Sequence, residues 1–116
     1  MSEQSKRVSE VIAAGLLGIT SPLGRWSATD PPQAFLEFHE DGRLTGNDGC
    51  NAMVGSWSKK GATVAFHQVA STRMFCMNVD MWLTGLDTGQ LSGNTLSISN
   101  ADGDVIGVLT RETGTD

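Results

Sequence analysis

Basic residues, proline and long apolar runs are all scarce in this sequence, and each shortage excludes a class of protein. Only 8 Lys and Arg stand against 13 Asp and Glu, which gives a net charge of −5. Binding to nucleic acid or to an anionic membrane surface depends on clustered positive charge, so we expect no nucleic acid as a partner. No stretch approaches about eighteen uninterrupted apolar residues, so we also expect no membrane insertion.

Soft metal ligands and nucleophiles are equally scarce. Cys50, Cys76, His39 and His67 are residue types that bind zinc, but no Cys-x-x-Cys motif or His pair groups them. Cys50 would need a nearby histidine or cation to become a nucleophile, and Arg73 is the one candidate. We therefore predict a non-enzymatic protein with no metal and no cofactor; the alternative is an enzyme that uses Cys50 as a reactive thiol.

What the sequence does contain is glycine, in short alternating segments. Fourteen glycines and only three prolines favour short strands joined by tight turns. In the most regular segments the apolar residues fall at every second position and so share one face. These pairs are Leu36 and Phe38, Val64 and Phe66, and Leu96 and Ile98. Turns are expected at Asp41-Gly42, Lys59-Lys60-Gly61, Gly93-Asn94 and Asp102-Gly103. The pattern predicts a mainly β fold, either a small antiparallel barrel or two packed sheets of about seven to eight strands.

Two segments have helical spacing instead. Val79, Trp82, Leu83 and Leu86 follow the i, i+3, i+4, i+7 pattern, and Asn78 is a suitable N-cap, which predicts a helix over 79–87. Residues 7–15 suggest a short amphipathic helix, and the following residues 16–21 suit a first strand. We therefore divide the chain into a polar segment with a short helix (1–15), a single domain (16–111) and a frayed tail (112–116).

Two cysteine-containing blocks give the sequence its most specific pattern. The first is Gly42-Arg43-Leu44-Thr45-Gly46-Asn47-Asp48-Gly49-Cys50-Asn51, and the second is Ser71-Thr72-Arg73-Met74-Phe75-Cys76. With both blocks in this order, the chain resembles the META domain family of HslJ-like heat-inducible proteins. The resemblance rests on Gly42, Gly46, Gly49, Cys50, Asn51, Thr72, Arg73, Met74 and Cys76. It implies a compact antiparallel β fold with one helix, a link to heat shock or envelope stress and, in some members, to drug tolerance or secretion. It brings no established catalytic residues.

Many members of that bacterial family carry a lipoprotein signal. Here Lys6 and Arg7 precede a mostly apolar stretch, but Glu10 interrupts it and no small-residue cleavage motif follows. The expectation from the chain as given is therefore a cytoplasmic protein, with the cell envelope as the alternative location.

The state of the two cysteines is left open by the sequence. A Cys50–Cys76 disulfide would close a loop of about 26 residues and stabilise the fold by about 3 kcal/mol, whereas a reducing cytosol would leave two buried free thiols. In either case we expect Arg73 to hold the Asp48 loop through a charge-assisted hydrogen bond.

A methionine-rich group completes the candidate features. Met53, Met74, Met77 and Met81, together with Phe75 and Trp82, are most simply interpreted as core packing around the helix. The alternative is an adaptable apolar binding surface, because methionine repacks easily. The expected function is an accessory domain that binds a partner protein or a small apolar ligand; a purely structural module is the other alternative.

Overall fold

Eight antiparallel strands close into a barrel in the computed structural model, which describes residues 21–112. The strands are β1 (Gly24–Ser27), β2 (Phe35–Phe38), β3 (Arg43–Asn47), β4 (Ala52–Lys60), β5 (Thr63–Ser71), β6 (Thr88–Ser92), β7 (Thr95–Ser99) and β8 (Val105–Arg111). Each strand pairs with the next along the chain, and β1 pairs with β8 to close the sheet. The predicted mainly β fold is confirmed, and of the two architectures considered it is the barrel.

The barrel interior is filled by the alternating residues that the sequence indicated. Leu36, Phe38, Val64, Phe66, Leu96 and Ile98 are all buried. Trp26 lies among them, and its indole N–H donates to the carbonyl oxygen of Pro22 at 2.8 Å. A buried indole needs such a partner, because an unpaired N–H in the core would cost stability.

Because neighbouring strands run in opposite directions, alternate connections meet at the same end of the barrel. One end carries the short turns 39–42, 61–62 and 93–94. The other end, which we call the crossover end, carries the connections 28–34, 48–51, 72–87 and 100–104. The long 72–87 crossover between β5 and β6 covers this end, so both cysteine-containing blocks converge there.

The helix predicted over 79–87 is wrong in type and length. Over this range the structure instead has a 3₁₀ turn, Trp82–Gly85, and Asn78 is no N-cap: its φ of 63° lies in the left-handed region. Apolar residues of the predicted helix nevertheless pack against the barrel: Leu83 is buried, and the Trp82 ring lies against Gly107 of β8. A single turn suffices to bury Leu83 and to half-bury Trp82, and the chain is then extended in β6 from Thr88.

The predictions for residues 7–15 and for most of 16–21 lie outside the described residues, as do those for 113–116. Within residues 21–112, no helical segment has the length and apolar character that spanning a membrane requires.

Candidate functional site

A disulfide joins the two cysteine-containing blocks at the crossover end. Cys50, in the tight turn between β3 and β4, is bonded to Cys76 in the crossover, with their Cα atoms 5.8 Å apart. Of the two states that the sequence left open, the structure has the disulfide rather than free thiols. The bond closes a loop across a sequence separation of 26 residues and fixes the crossover against the β3–β4 turn.

The side-chain amide of Asn51 is a second link between the same two segments. Its Oδ1 accepts from the Met74 main-chain N–H at 2.6 Å and from the Thr72 hydroxyl at 2.8 Å. Its Nδ2 donates to the Met74 carbonyl oxygen at 3.1 Å. One amide therefore satisfies both main-chain groups of Met74, as a neighbouring strand would. We call this amide and the disulfide together the double clamp.

Asp48 holds the turn that carries Asn51. Its carboxylate is buried, and Oδ1 accepts from the main-chain N–H groups of Asn51 at 2.6 Å and Cys50 at 2.9 Å, while Oδ2 accepts from the Thr84 hydroxyl. Burial raises the pKa of Asp48, but the hydrogen bonds from Asn51, Thr84 and Cys50 outweigh that effect and leave the pKa below its usual value. The carboxylate thus connects the turn to the 3₁₀ segment at the end of the crossover.

Gly49 allows the turn to lie directly against its neighbours. Its φ is +102°, and a Cβ at this position would stand 2.7 Å from Cγ of Pro31 and 3.1 Å from Cγ1 of Val79. Both the backbone conformation and the close approach therefore require glycine.

Between the two parts of the double clamp, apolar side chains point outward. Phe75 is 80% exposed, and the flanking Met74 and Met77 are 58% and 75% exposed. The prediction that the methionine group and Phe75 pack in the core is therefore wrong for these three residues; Met53 is buried, and Met81 and Trp82 are half-buried. The reason is the clamp: Asn51 fixes the main chain of Met74, and the disulfide fixes Cys76, so Phe75 cannot fold back onto the barrel. We call Met74, Phe75 and Met77 the apolar rim.

An open groove of about 580 Å³ lies beside the rim. Its apolar lining comes from Met53 and Val69 on the barrel and from Met74, Phe75 and Met81 on the crossover. The size is within the range of small-ligand sites, which run from about 300 to 1,000 Å³, but this groove is wide open to solvent along one side.

One wall of the groove is the free edge of β5. The β5–β6 ladder includes only Thr63, Val64 and Ala65 of β5, and one further hydrogen bond runs from the Phe66 N–H to the Asp87 carbonyl. The Thr72 N–H donates to the carbonyl oxygen of Ala52, the first residue of β4. Since main-chain groups alternate in direction along a strand, those of Val69 and Ser71 point away from β4. Within residues 21–112, the pairing of β5 with β6 ends at Ala65 and the Phe66 N–H, so no paired strand lies beside Val69 and Ser71 on that side. The edge is therefore open to a further strand.

The polar residues that the sequence proposed as ligands lie apart from one another. His39 contacts the hydroxyl of Thr45 at 2.9 Å, and His67 contacts the hydroxyl of Ser58 at 2.8 Å, both on the outside of the barrel. The alternative that the protein is an enzyme requires a reactive thiol at Cys50. While Cys50 is bonded to Cys76 it has no free thiol that could act as the nucleophile. Among residues 21–112, no three side chains of the metal-binding types form a group.

Arg73 does not hold the Asp48 loop as predicted. The loop's own N–H groups and Thr84 occupy the buried carboxylate, whereas Arg73 is exposed and lines the groove. Neither ion pair within the described range involves Arg73. The sequence contained no signal for Thr84 as the partner, since its position depends on the 3₁₀ turn.

Of the residues shared with the family pattern, seven lie at the crossover end: Gly49, Cys50, Asn51, Thr72, Arg73, Met74 and Cys76. Gly42 instead makes the β2–β3 turn at the opposite end, with a φ of +92°. Gly46 lies in β3 where a Cβ would stand 2.4 Å from the carbonyl oxygen of Phe35. The pattern thus combines a double clamp at one end with glycines that let β2 and β3 pack closely.

These features define a class: a small closed antiparallel barrel whose long crossover is fastened by a disulfide and an asparagine. The family model for the META domain matches residues 23–113. The chain therefore belongs to the META domain family. No curated protein and no solved structure gives a significant match to it.

Proposed function

We propose that this domain is a non-enzymatic accessory module that binds an extended apolar segment of a partner protein along the groove at the crossover end. The observation that carries the proposal is the apolar rim, whose three large apolar side chains are exposed to solvent at neighbouring positions. An exposed patch of large apolar side chains is unfavourable for an isolated domain and is typical of interaction sites. Since the double clamp fixes the rim in place before a partner arrives, little conformational entropy is lost on binding.

The free edge of β5 determines the form of the partner. A segment lying extended beside Val69 and Ser71 would satisfy their main-chain groups, and every second side chain would point toward the groove. Arg73 in the groove favours an acidic residue in that segment, because its guanidinium meets no carboxylate among the described residues. The partner class is therefore an extended segment with alternating apolar residues and one acidic residue.

The disulfide supports an oxidising location. Such bonds persist outside the cytosol and are reduced within it, so the cell envelope is the compartment that preserves the double clamp. We accordingly propose that the domain works in the envelope, in a stress-related role like that which its family implies. If the Cys50–Cys76 pair is found as free thiols in cells, the cytoplasmic location is favoured; if it is found as a disulfide, the envelope is favoured.

A peptide-display experiment tests the binding proposal. A library of random peptides of about twelve residues, long enough for one added strand, is selected on the oxidised domain and counter-selected on a Phe75→Ser, Met77→Ser variant. We expect enrichment of peptides with alternating apolar residues whose affinity falls about tenfold or more on the variant, which corresponds to about 1.4 kcal/mol. The matched control is Val108→Ser, which removes an exposed apolar side chain from β8.

A second step distinguishes strand addition from other modes of binding. N-methylation of alternate peptide bonds removes main-chain donors from an enriched peptide but leaves its side chains unchanged. Binding should then be lost when the methylated positions face β5 and kept when they face away. Equal affinities for wild type and the rim variant would contradict the proposal. Binding of small apolar dyes without any peptide enrichment would favour a ligand site instead.

A further inference from the structure

The four methionines between residues 21 and 112 differ sharply in exposure. Met74 is 58% and Met77 is 75% exposed on the apolar rim, whereas Met53 is 1% exposed inside the barrel. Met81 is intermediate, and its sulfur lies 3.6 Å from Nδ2 of Asn51. The most accessible thioethers of the described chain therefore lie together, on either side of the most exposed aromatic ring.

The cysteines do not compete with these thioethers for oxidants. Both cysteines of the chain are already joined in the Cys50–Cys76 disulfide, so no free thiol is present to react first. Thiolates are otherwise the usual first target of peroxides in proteins. With the thiols removed, exposed methionine sulfur is the next site on which a peroxide acts.

We propose that Met74 and Met77 form a peroxide-responsive modification site that controls binding at the apolar rim. In the reaction, a lone pair of the thioether sulfur attacks one peroxide oxygen, an S–O bond forms and the O–O bond breaks. The sulfur is oxidised by two electrons and the peroxide is reduced; the departing hydroxide takes the proton of the new S–OH group, which leaves the sulfoxide and one water. The product is methionine sulfoxide, which reductases convert back to the thioether.

The consequence for binding rests on the proposed function, whereas the order of oxidation does not. A sulfoxide is polar, so two of them beside Phe75 would divide the rim into small apolar areas that no longer match an apolar partner. The fold would be retained, because the main chain at Met74 is held by Asn51 and neither exposed side chain contributes to the core. Oxidation would thus change the surface without unfolding the barrel.

Peptide mapping by mass spectrometry after timed exposure of the disulfide-bonded protein to hydrogen peroxide tests the order of oxidation. We expect Met74 and Met77 to be oxidised at least about tenfold faster than Met53, with Met81 between them and with the thermal midpoint of unfolding almost unchanged. Equal rates at Met53 and the rim methionines would overturn the inference, as would unfolding that accompanies the first oxidation.

Two variants test the effect on binding. Met74 and Met77 are both replaced by leucine in one protein, and Met53 is replaced by leucine in the control. Peroxide should lower the affinity of wild type and of the Met53→Leu protein for an enriched peptide about tenfold, and leave the double-leucine protein unaffected. An equal loss in the double-leucine protein, or no loss in wild type, would refute control by these residues. If no peptide is enriched, the proposed function fails, but the oxidation site can still be tested with a bound anilinonaphthalene sulfonate dye. Peroxide should then release the dye from wild type and not from the double-leucine protein.

Discussion

Replacing Asn51 by alanine tests whether its amide fastens the crossover to the barrel. The substitution removes three hydrogen bonds: the two that the amide makes with the main chain of Met74, and the one that its Oδ1 accepts from the Thr72 hydroxyl. Each such bond contributes about 1 kcal/mol net, so the free energy of unfolding should fall by roughly 3 kcal/mol. At this chain length that corresponds to a decrease of about 10 °C in the thermal midpoint.

The measurement is urea unfolding of the oxidised protein, followed by tryptophan fluorescence. The control is Asn94→Ala in the β6–β7 turn, because the hydrogen bond at this position, from the Arg111 N–H to the Asn94 carbonyl oxygen, is made by the main chain and is kept in alanine. It should change stability by less than about 0.5 kcal/mol. Limited proteolysis should also cut the Asn51→Ala protein faster within the crossover than elsewhere. If the two variants lose equal stability, the amide is not a clamp, and the rigidity that we assign to the apolar rim loses half its basis.

Three further changes probe the remaining contacts at the crossover end. Replacing Cys50 by alanine should lower the free energy of unfolding by about 3 kcal/mol in non-reducing buffer and abolish the difference between oxidised and reduced protein; a persisting difference would contradict the disulfide. Gly107→Ala places a Cβ about 2.4 Å from the Trp82 ring and should destabilise by about 1–3 kcal/mol with a change in tryptophan emission, whereas Gly85→Ala meets its nearest atom at 3.5 Å and should be nearly neutral. The lowered pKa of Asp48 stabilises the fold fully above its unfolded pKa of about 3.9, and this contribution is lost as the pH falls through the folded pKa. Asp48→Asn should therefore flatten the acid side of the stability–pH curve, and an unchanged curve would show that another group controls it.

The sequence predicted the barrel well because alternation and turn residues are local signals. Leu36 and Phe38, like Leu96 and Ile98, could be assigned to one face from their spacing alone, and Asp102-Gly103 could be assigned to a turn. In that turn, Oδ1 of Asn100 accepts from the N–H groups of Asp102 and Asp104, both at 3.0 Å, so the local geometry is built by the turn's own residues.

The crossover could not be predicted in the same way, because its conformation depends on contacts with distant residues. The apolar residues Trp82 and Leu83 do pack against the barrel, but from a four-residue 3₁₀ turn that lies between the disulfide at Cys76 and the start of β6 at Thr88. Likewise, methionine and phenylalanine are usually buried, so composition favoured a core position for Phe75. Only the two clamps, formed with residues more than twenty positions away, keep its ring in solvent.

The contacts of the double clamp explain why the family pattern is more informative about structure than about chemistry. Asn51 and Cys50 each bind a partner in the second block, and their side chains are fully occupied by that role. The residues left available to another molecule are those between the clamped positions, above all Phe75, together with the unpaired main chain of β5. Because a clamped loop can accept different side chains without losing its position, Phe75 and Met77, which are outside the family pattern, are where members of such a family can differ in the partner that we propose they bind. An exchange of the residues at positions 75 and 77 between two members should therefore transfer peptide preference without changing stability by more than about 1 kcal/mol. If peptide preference were transferred by exchanging the residues of the double clamp instead, the clamp and not the rim would determine which peptide binds.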